Sequence, residues 1–429
     1  MGVYLILINL YKLNKIHEHE TSPQSVYAQC WSTSNALVGR DDQLESFDLL
    51  LARLQRGRPE QSMIITGLCG VGKTVLLGAF RDKTLEADWV PVEMEASKYD
   101  DDHFREELFF KLRIALFELA PGKKWGDRMR RAAQILSSFS LTFDPSGNVT
   151  LGADIEPFRG RGDTGILSLD ITELLVTLGE AAQEANRGLV LLIDEIQFLS
   201  RPQLEALITA LHKTIQRSLP ITLVGAGLPQ IAELAGDAKS YSERLFKFVH
   251  IGSLDDDESR RAFVDPAREE GAEFSPDALD EVVAITDGYP YFIQELGSSL
   301  WAVAEASPFT MDDVKESFLH YQSKLDDSFF RVRFDRATPL QAAYLRAMAE
   351  LGAGPHSAAD VAAVMKRTSQ SVGPTRAQLI DMGLLYTPRF GFADFTVPHF
   401  DDFMKREMPV LEVPEHKTRS HRRRKSSRA

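Results

Sequence analysis

The sequence predicts an α/β fold: a parallel sheet with helices on both faces, then a helical lid and a C-terminal winged helix-turn-helix. Three observations carry that prediction. Between residues 37 and 254, short apolar runs such as Leu189-Val190-Leu191-Leu192-Ile193 alternate with helical runs. This is the pattern of strands buried on both faces and separated by covering helices. From Asp255 to about Phe330 only helical periods remain. Beyond Thr338, three short helical runs precede two strand-like runs that flank Pro388-Arg389-Phe390-Gly391.

Composition agrees with a soluble globular class. Of 429 residues, 44% are hydrophobic and 26% charged, which excludes collagen-like and wholly disordered chains. The length suggests two or three domains. Cys30 and Cys69 are too few for a disulfide scaffold and lack metal-ligand spacing, which fits a reducing cytoplasm. The net charge is −13, but it is uneven. Residues 417–428 hold seven Lys and Arg, leaving 42 basic against 62 acidic residues elsewhere, a balance of −20. So acidic a body repels polyanions except at a local basic patch. The tail is either that patch or an ordinary solvated, disordered end.

Residues 1–35 show no sustained periodicity and are expected to be a loose leader. The apolar stretch Val3–Leu10 is far short of the ~20 residues that span a bilayer. It also lacks the basic flank and cleavage site of a signal peptide, so no membrane attachment is expected. Leu44, Phe47, Leu50, Leu51 and Leu54 then mark a helix that Gly57-Arg58-Pro59 stops. Ser62–Thr66 reads as a buried strand, followed by a glycine loop and a helix from Lys73 to about Thr84. Trp89–Met94 is a second strand. His103–Leu119 is an amphipathic helix with Phe104, Leu108, Leu112, Ala115, Leu116 and Leu119 on one face. Residues 122–165 read as an insertion. In it, Phe139, Leu141 and Phe143 alternate with polar residues, then come Asp144-Pro145-Ser146-Gly147-Asn148 and the alternating Val149, Leu151 and Ala153. That pattern predicts a β-hairpin. Helices follow at Leu169–Ala185 and Gln203–Arg217, and strands at Leu189–Ile193 and Ile221–Val224. The expected domains are 36–254, a lid at 255–335, a winged helix at 336–410 and a basic tail at 411–429.

The chemistry sits in the first of these. Gly67-Leu68-Cys69-Gly70-Val71-Gly72-Lys73-Thr74 fits G-x-x-x-x-G-K-[ST] at every fixed position, between an apolar strand and a helix. Glycines let the backbone close around phosphates with its N–H groups inward, and the helix N-terminus adds a positive dipole end. Lys73 is expected to reach the β/γ-phosphates of ATP, and the Thr74 hydroxyl to ligate Mg²⁺. The strand ending in Asp194-Glu195 supplies carboxylates where open α/β sheets bind ligands. Asp194 is assigned to the Mg²⁺ shell and Glu195 to the attacking water. An acidic pair at a strand end can also simply cap the next helix.

In the C-terminal module, Pro339–Leu351, Ser357–Met365 and Ser369–Met382 read as helices, with Ser357 a cap and Gly383 a stop. As a DNA reader, the third helix would enter the major groove with Gln370 and Arg376, while Lys366, Arg367 and Arg389 touch phosphates. A winged helix that contacts protein, or clamps the rest of the chain, is the alternative. The third helix is only mildly basic for a DNA reader.

These motifs resemble the AAA+ P-loop ATPases, from about residue 37 to 410. Leu37-Val38-Gly39-Arg40 is similar to the box of the origin-initiator-like branch, which implies Val38 near adenine. Asp194-Glu195 resembles that branch's Walker B pair. The end of Ile221–Val224 is where the family places a polar sensor of the γ-phosphate; here it offers Gly225 and Ala226. Ser242-Glu243-Arg244-Leu245-Phe246 falls where the family puts an arginine finger that completes a neighbouring subunit's site, which would imply self-association. An ordinary surface arginine beside Glu243 is the other reading. Asp287-Gly288-Tyr289-Pro290 is similar to the G-x-P lid motif of the signal-transduction ATPases with numerous domains, which implies Pro290 at the nucleotide. The resemblance implies slow ATP hydrolysis, giving ADP, with nucleotide state coupled to domain arrangement. The output would be DNA association or, as in a signalling switch, binding of a protein.

Overall fold

A computed structural model describes residues 37–414 apart from 99, 120–125, 144–163 and 241, with the side chains of 137–143 also left out. The described residues form two units, 37–39 with Ser253–Lys324, and Arg40–Gly252 with 325–414.

The larger unit is built on a sheet of β1 (Ser62–Thr66), β2 (Val90–Glu95), β3 (Leu189–Asp194), β4 (Ile221–Gly227) and β5 (Phe246–His250). Their order is β2-β3-β4-β1-β5, and every pairing is parallel. Successive strand side chains point to opposite faces. Val92, Met94, Leu191, Ile193, Ile221 and Leu223 join one core with α3 (Asp101–Leu119), α4 (Asp127–Phe143), α5 (Leu167–Ala185) and α6 (Arg201–Gln216). α1 (Asp41–Gln55) and α2 (Lys73–Glu86) cover the other face, where Phe47 stacks on Phe80 with ring centroids 4.4 Å apart. α6 starts at a reciprocal cap in which the Ser200 hydroxyl accepts from the Gln203 amide and the Gln203 side chain from the Ser200 amide. β4 leads into α7 (Ile231–Ala238), and the short α8 (Ser242–Leu245) runs into β5.

One expectation is corrected here. The first arm of the expected hairpin, with Phe139, Leu141 and Phe143, lies in helix α4. Upstream, Met129, Ala132, Ala133 and Leu136 recur every three or four residues and are buried, so the helical period governs the segment. The alternation over 139–143 was too short to tell the two periods apart. The second arm, Val149–Ala153, lies outside the described residues. The sequence reading also passed over β5, an edge strand whose residues are mostly half-buried or exposed.

The smaller unit holds α9 (Asp256–Glu269), α10 (Pro276–Thr286), α11 (Pro290–Val303) and α12 (Met311–Lys324) around Phe263, Val282, Phe292, Leu296 and Val314. This is the all-helical segment expected, but it ends at Lys324, not 335. The following π turn Leu325–Phe330 and α13 (Arg331–Phe334) belong with the winged module. Phe330 stacks on Phe403 and meets Phe400 edge-on, and Arg331 forms a two-pronged ion pair with Glu407. Burying such a phenyl ring contributes roughly 1.5–3 kcal/mol.

The winged module then has α14 (Pro339–Glu350), β6 (His356–Ser357), α15 (Ala358–Val364), α16 (Ser369–Asp381), β7 (Leu385–Tyr386), β8 (Phe392–Phe395) and α17 (Phe400–Glu407), with sheet order β6-β8-β7. Ser357 caps α15 as expected. β6 and α17 are additions to the sequence reading. No described helix is long and apolar enough to cross a membrane.

Candidate active site

The site forms where β1 and β3 end, on either side of β4. Gly70 and Gly72 lie at φ 92° and 93°, a left-handed backbone that glycine adopts without cost. They turn residues 67–74 into a concave loop whose last residues begin α2. Arg40, almost fully buried, braces this loop by donating to the carbonyls of Val71 (3.2 Å) and Gly252 (2.7 Å). The sequence reading missed that brace, because it joins residues far apart in the chain.

Lys73 is 6% exposed, and its ammonium donates to the carbonyls of Gly67 (3.0 Å) and Leu68 (2.8 Å). Among the described residues no carboxylate lies within ion-pair distance of it. A buried cation facing only carbonyl dipoles favours an anion beside it. The Thr74 hydroxyl donates to Asp194 Oδ2 at 2.6 Å, and the Glu195 amide donates to Asp194 Oδ1 at 2.8 Å. An exposed hydroxyl and a half-buried carboxylate side by side are the oxygen donors that suit Mg²⁺.

Glu195 itself has φ 51° and ψ 35°. A left-handed conformation costs a non-glycine residue on the order of 1–2 kcal/mol, so the turn is held by its surroundings. It opens a single 3-10 turn, Ile196–Phe198, in which the Phe198 amide donates to the Glu195 carbonyl at 2.9 Å. Gln197 then points back: its amide nitrogen donates to Glu195 Oε2, and its oxygen accepts from the Leu228 amide at 3.0 Å. The sequence reading passed over Gln197 as well; its place two residues past the acidic pair was the only local signal.

The structure therefore brings Gly67, Leu68, Cys69, Gly70, Val71, Gly72, Lys73, Thr74, Asp194 and Glu195 together. Arg244 is elsewhere. It is exposed at the end of α8, and its carbonyl accepts from Gln61 just ahead of β1. The phosphate loop follows the other end of that strand, about 16 Å away at 3.3 Å per residue, beyond an arginine's reach. Val38 is buried and Pro290 opens α11, both in the smaller unit.

The winged module touches this site. The Cys69 amide, inside the loop, donates to the Thr396 carbonyl at 3.1 Å. Thr396 is itself fixed, its hydroxyl donating to Gly383 O at 2.7 Å. Nearby, Lys98 donates to the Asp381 carbonyl at the end of α16 at 2.8 Å. Among the proposed DNA contacts, Lys366, Gln370 and Arg389 are exposed. Arg376 is only half-buried, but its guanidinium donates to the Phe392 carbonyl at 2.6 Å and its Nε is buried, so part of its donor set is committed to the wing strand. Arg367 likewise donates to the Pro414 carbonyl, tying down the segment after α17.

Comparison with known proteins follows this division. Residues 36–224 match the AAA ATPase domain family, and residues 327–404 match a domain family of unknown function (DUF8462). No curated protein sequence is similar enough to count as a match. The fold is similar to that of a Walker-type ATPase of Pyrococcus abyssi, with TM-score 0.53 and 17% identity, over 86% of this chain and 96% of that one. It is also similar to the Aeropyrum pernix ORC2 protein solved as ADPNP-ADP complexes, with TM-score 0.52 and 14% identity, over 89% and 98% of the two chains. At such identities the likeness speaks for the fold.

Proposed function

We propose that this chain, whose residues 36–224 are an AAA+ P-loop ATPase domain, binds Mg·ATP on the 67–74 loop, hydrolyses it slowly and passes its nucleotide state to the winged module. The observation that carries the reading is the hydrogen bond from Cys69, within the phosphate loop, to the Thr396 carbonyl. A loop that rearranges around a triphosphate strains that bond and the Lys98–Asp381 contact beside it.

In the reaction, the loop amides and the Lys73 ammonium hold the β- and γ-phosphates. Glu195 orients a water and takes its proton as the water attacks the γ-phosphorus. The bond to the bridging oxygen breaks, giving ADP and phosphate. Thr74 and Asp194 are the residues that would hold Mg²⁺, which supplies neutralisation of charge on the phosphate oxygens. Slow turnover fits a β4 end that carries only Gly225, Ala226 and Gly227, and an Arg244 too distant to serve its own site.

Three measurements test this. Lys73→Ala should lose most ATP affinity by calorimetry. Glu195→Gln should bind ATP normally but hydrolyse it 10²–10⁴-fold more slowly in a single turnover, since an amide cannot take a proton. Amide exchange around Cys69 and Thr396 should differ between the nucleotide-free and ATP-bound protein. Identical exchange would leave an ATPase with a passive winged module.

Association with DNA is a second reading, favoured by the exposed Lys366, Gln370 and Arg389 and by the seven cations of 417–428. Arg376 and Arg367 each already give one guanidinium nitrogen to a backbone carbonyl, of Phe392 and Pro414. A winged module already engaged with the ATPase domain equally supports a switch that acts on protein.

A further inference from the structure

We propose that Gln197 is the positioning residue for the base Glu195, supplying from the far side of the turn the polar side chain that the end of β4 does not carry. The inference rests on the reading of Glu195 given above.

The amide of Gln197 has no freedom in its orientation. The Leu228 N–H can only donate, so the group it meets at 3.0 Å must be the side-chain oxygen. The amide nitrogen is thereby turned to Glu195 Oε2, to which it donates. Gln197 is 9% exposed, so neither bond is readily exchanged for water. One carboxylate oxygen of Glu195 is thus clamped, and Oε1 is left to face the water.

The small residues on β4 have a reason in this arrangement. A Cβ on Gly227 would collide with the Gln197 side-chain oxygen, and one on Gly225 would come within 2.7 Å of Ile196 Cδ1. The residues that deprive β4 of a polar sensor are therefore the ones that let the Ile196-Gln197 turn close against it. The base is tied through Gln197 to the first residue after β4, so any movement of the β4–α7 connection is passed to Glu195.

The test compares Gln197→Ala, Gln197→Glu, Gly227→Ala and Glu195→Gln in the full chain, measuring ATP affinity, single-turnover hydrolysis, its pH profile and melting temperature. Misplacing a reacting group by about 1 Å can cost 10²-fold. Gln197→Ala and Gly227→Ala are expected to bind ATP within about twofold of wild type and hydrolyse it roughly 10- to 100-fold more slowly. Gln197→Glu keeps the shape but sets a second carboxylate against Glu195, which disfavours the ionised base. The acid limb of its profile should move to higher pH, a change that loss of packing alone does not produce. Adding Gln197→Ala to Glu195→Gln should cause little further loss, because the two act as one unit. Wild-type rates and an unshifted profile in the Gln197 variants, with Glu195→Gln slow, would overturn this inference alone. A loss of affinity parallel to the loss of rate would make Gln197 merely structural and overturn it too. Wild-type hydrolysis by Glu195→Gln would overturn the proposed base and the inference together.

Discussion

Asp170 shows how much a single buried carboxylate demands of its neighbours. It is fully buried and accepts from Arg105 Nη2, the Thr164 amide and the Thr164 hydroxyl, each at 2.8 Å. Arg105 is itself 8% exposed, so the pair lies in low dielectric between α3 and α5. Removing one partner of a buried pair leaves the other charge uncompensated and costs about 3–5 kcal/mol. Asp170→Ala should lower the unfolding free energy by about that amount in a denaturant titration. A loss under about 1 kcal/mol would place the pair with ordinary surface ion pairs. In the proposed nucleotide site the same rule applies: Lys73 faces the carbonyl oxygens of Gly67 and Leu68, and a phosphate would supply the missing charge.

Among the elements, the wing sheet carries a titrating group. Asp394 on β8 is held above the usual carboxylate range, chiefly because burial disfavours its charge. Its bond from the Phe395 amide and the nearby His356 pull the other way, and Asp401 adds to the upward shift. The sign follows from linkage. A carboxyl whose folded-state affinity for protons exceeds the unfolded value makes the fold less stable as pH rises through the window between the two. That destabilisation is fully present at neutral pH and disappears in acid. Asp394→Asn should therefore raise the melting temperature at pH 7 and give no gain below the unfolded value of about 3.9. An equal gain at both pH values would mean that the charge is not the cause. The same wing strand holds Arg376 through the Phe392 carbonyl, so its rigidity is built from the helix that was expected to read bases.

For the whole molecule, Arg244 can contribute to hydrolysis only in a second copy of the chain, because its own phosphate loop lies beyond the opposite end of β1. Mixing Arg244→Ala with Lys73→Ala subunits should restore part of the activity that each lacks alone. Full activity of Arg244→Ala by itself would make it a surface residue. The charge distribution yields a second expectation. With an acidic body and a basic tail, any DNA binding should be weak and steeply salt-dependent, the slope growing by about 0.9 per phosphate neutralised. Removing residues after Glu415 should flatten that slope and weaken binding to all sequences alike. An intact chain that shifts no DNA at low salt, with or without ATP, would leave the winged module to a protein partner.

The sequence by itself determined the elements whose signals are local. The strand, glycine loop and helix over 62–86, the carboxylates ending at Glu195, and the capped helices of the winged module all follow from periodicity and backbone sterics among near neighbours. The edge strand β5 was not legible, because an edge is buried on fewer sides and its residues carry no apolar run. Helix α4 was misread where a short alternation satisfied two periods, and only its packing against α5 decided between them. Arg40 bracing the loop from Gly252, 212 residues away, and Gln197 held by Leu228, 31 residues on, depend on which chain segments the sheet order makes neighbours. The Cys69–Thr396 bond depends instead on where the winged module packs against the loop. A side chain's partner across the fold leaves no periodic trace in the chain, since the hydrogen bond constrains only the two positions that meet. Tertiary structure alone therefore decided how Glu195 is held and what the winged module touches.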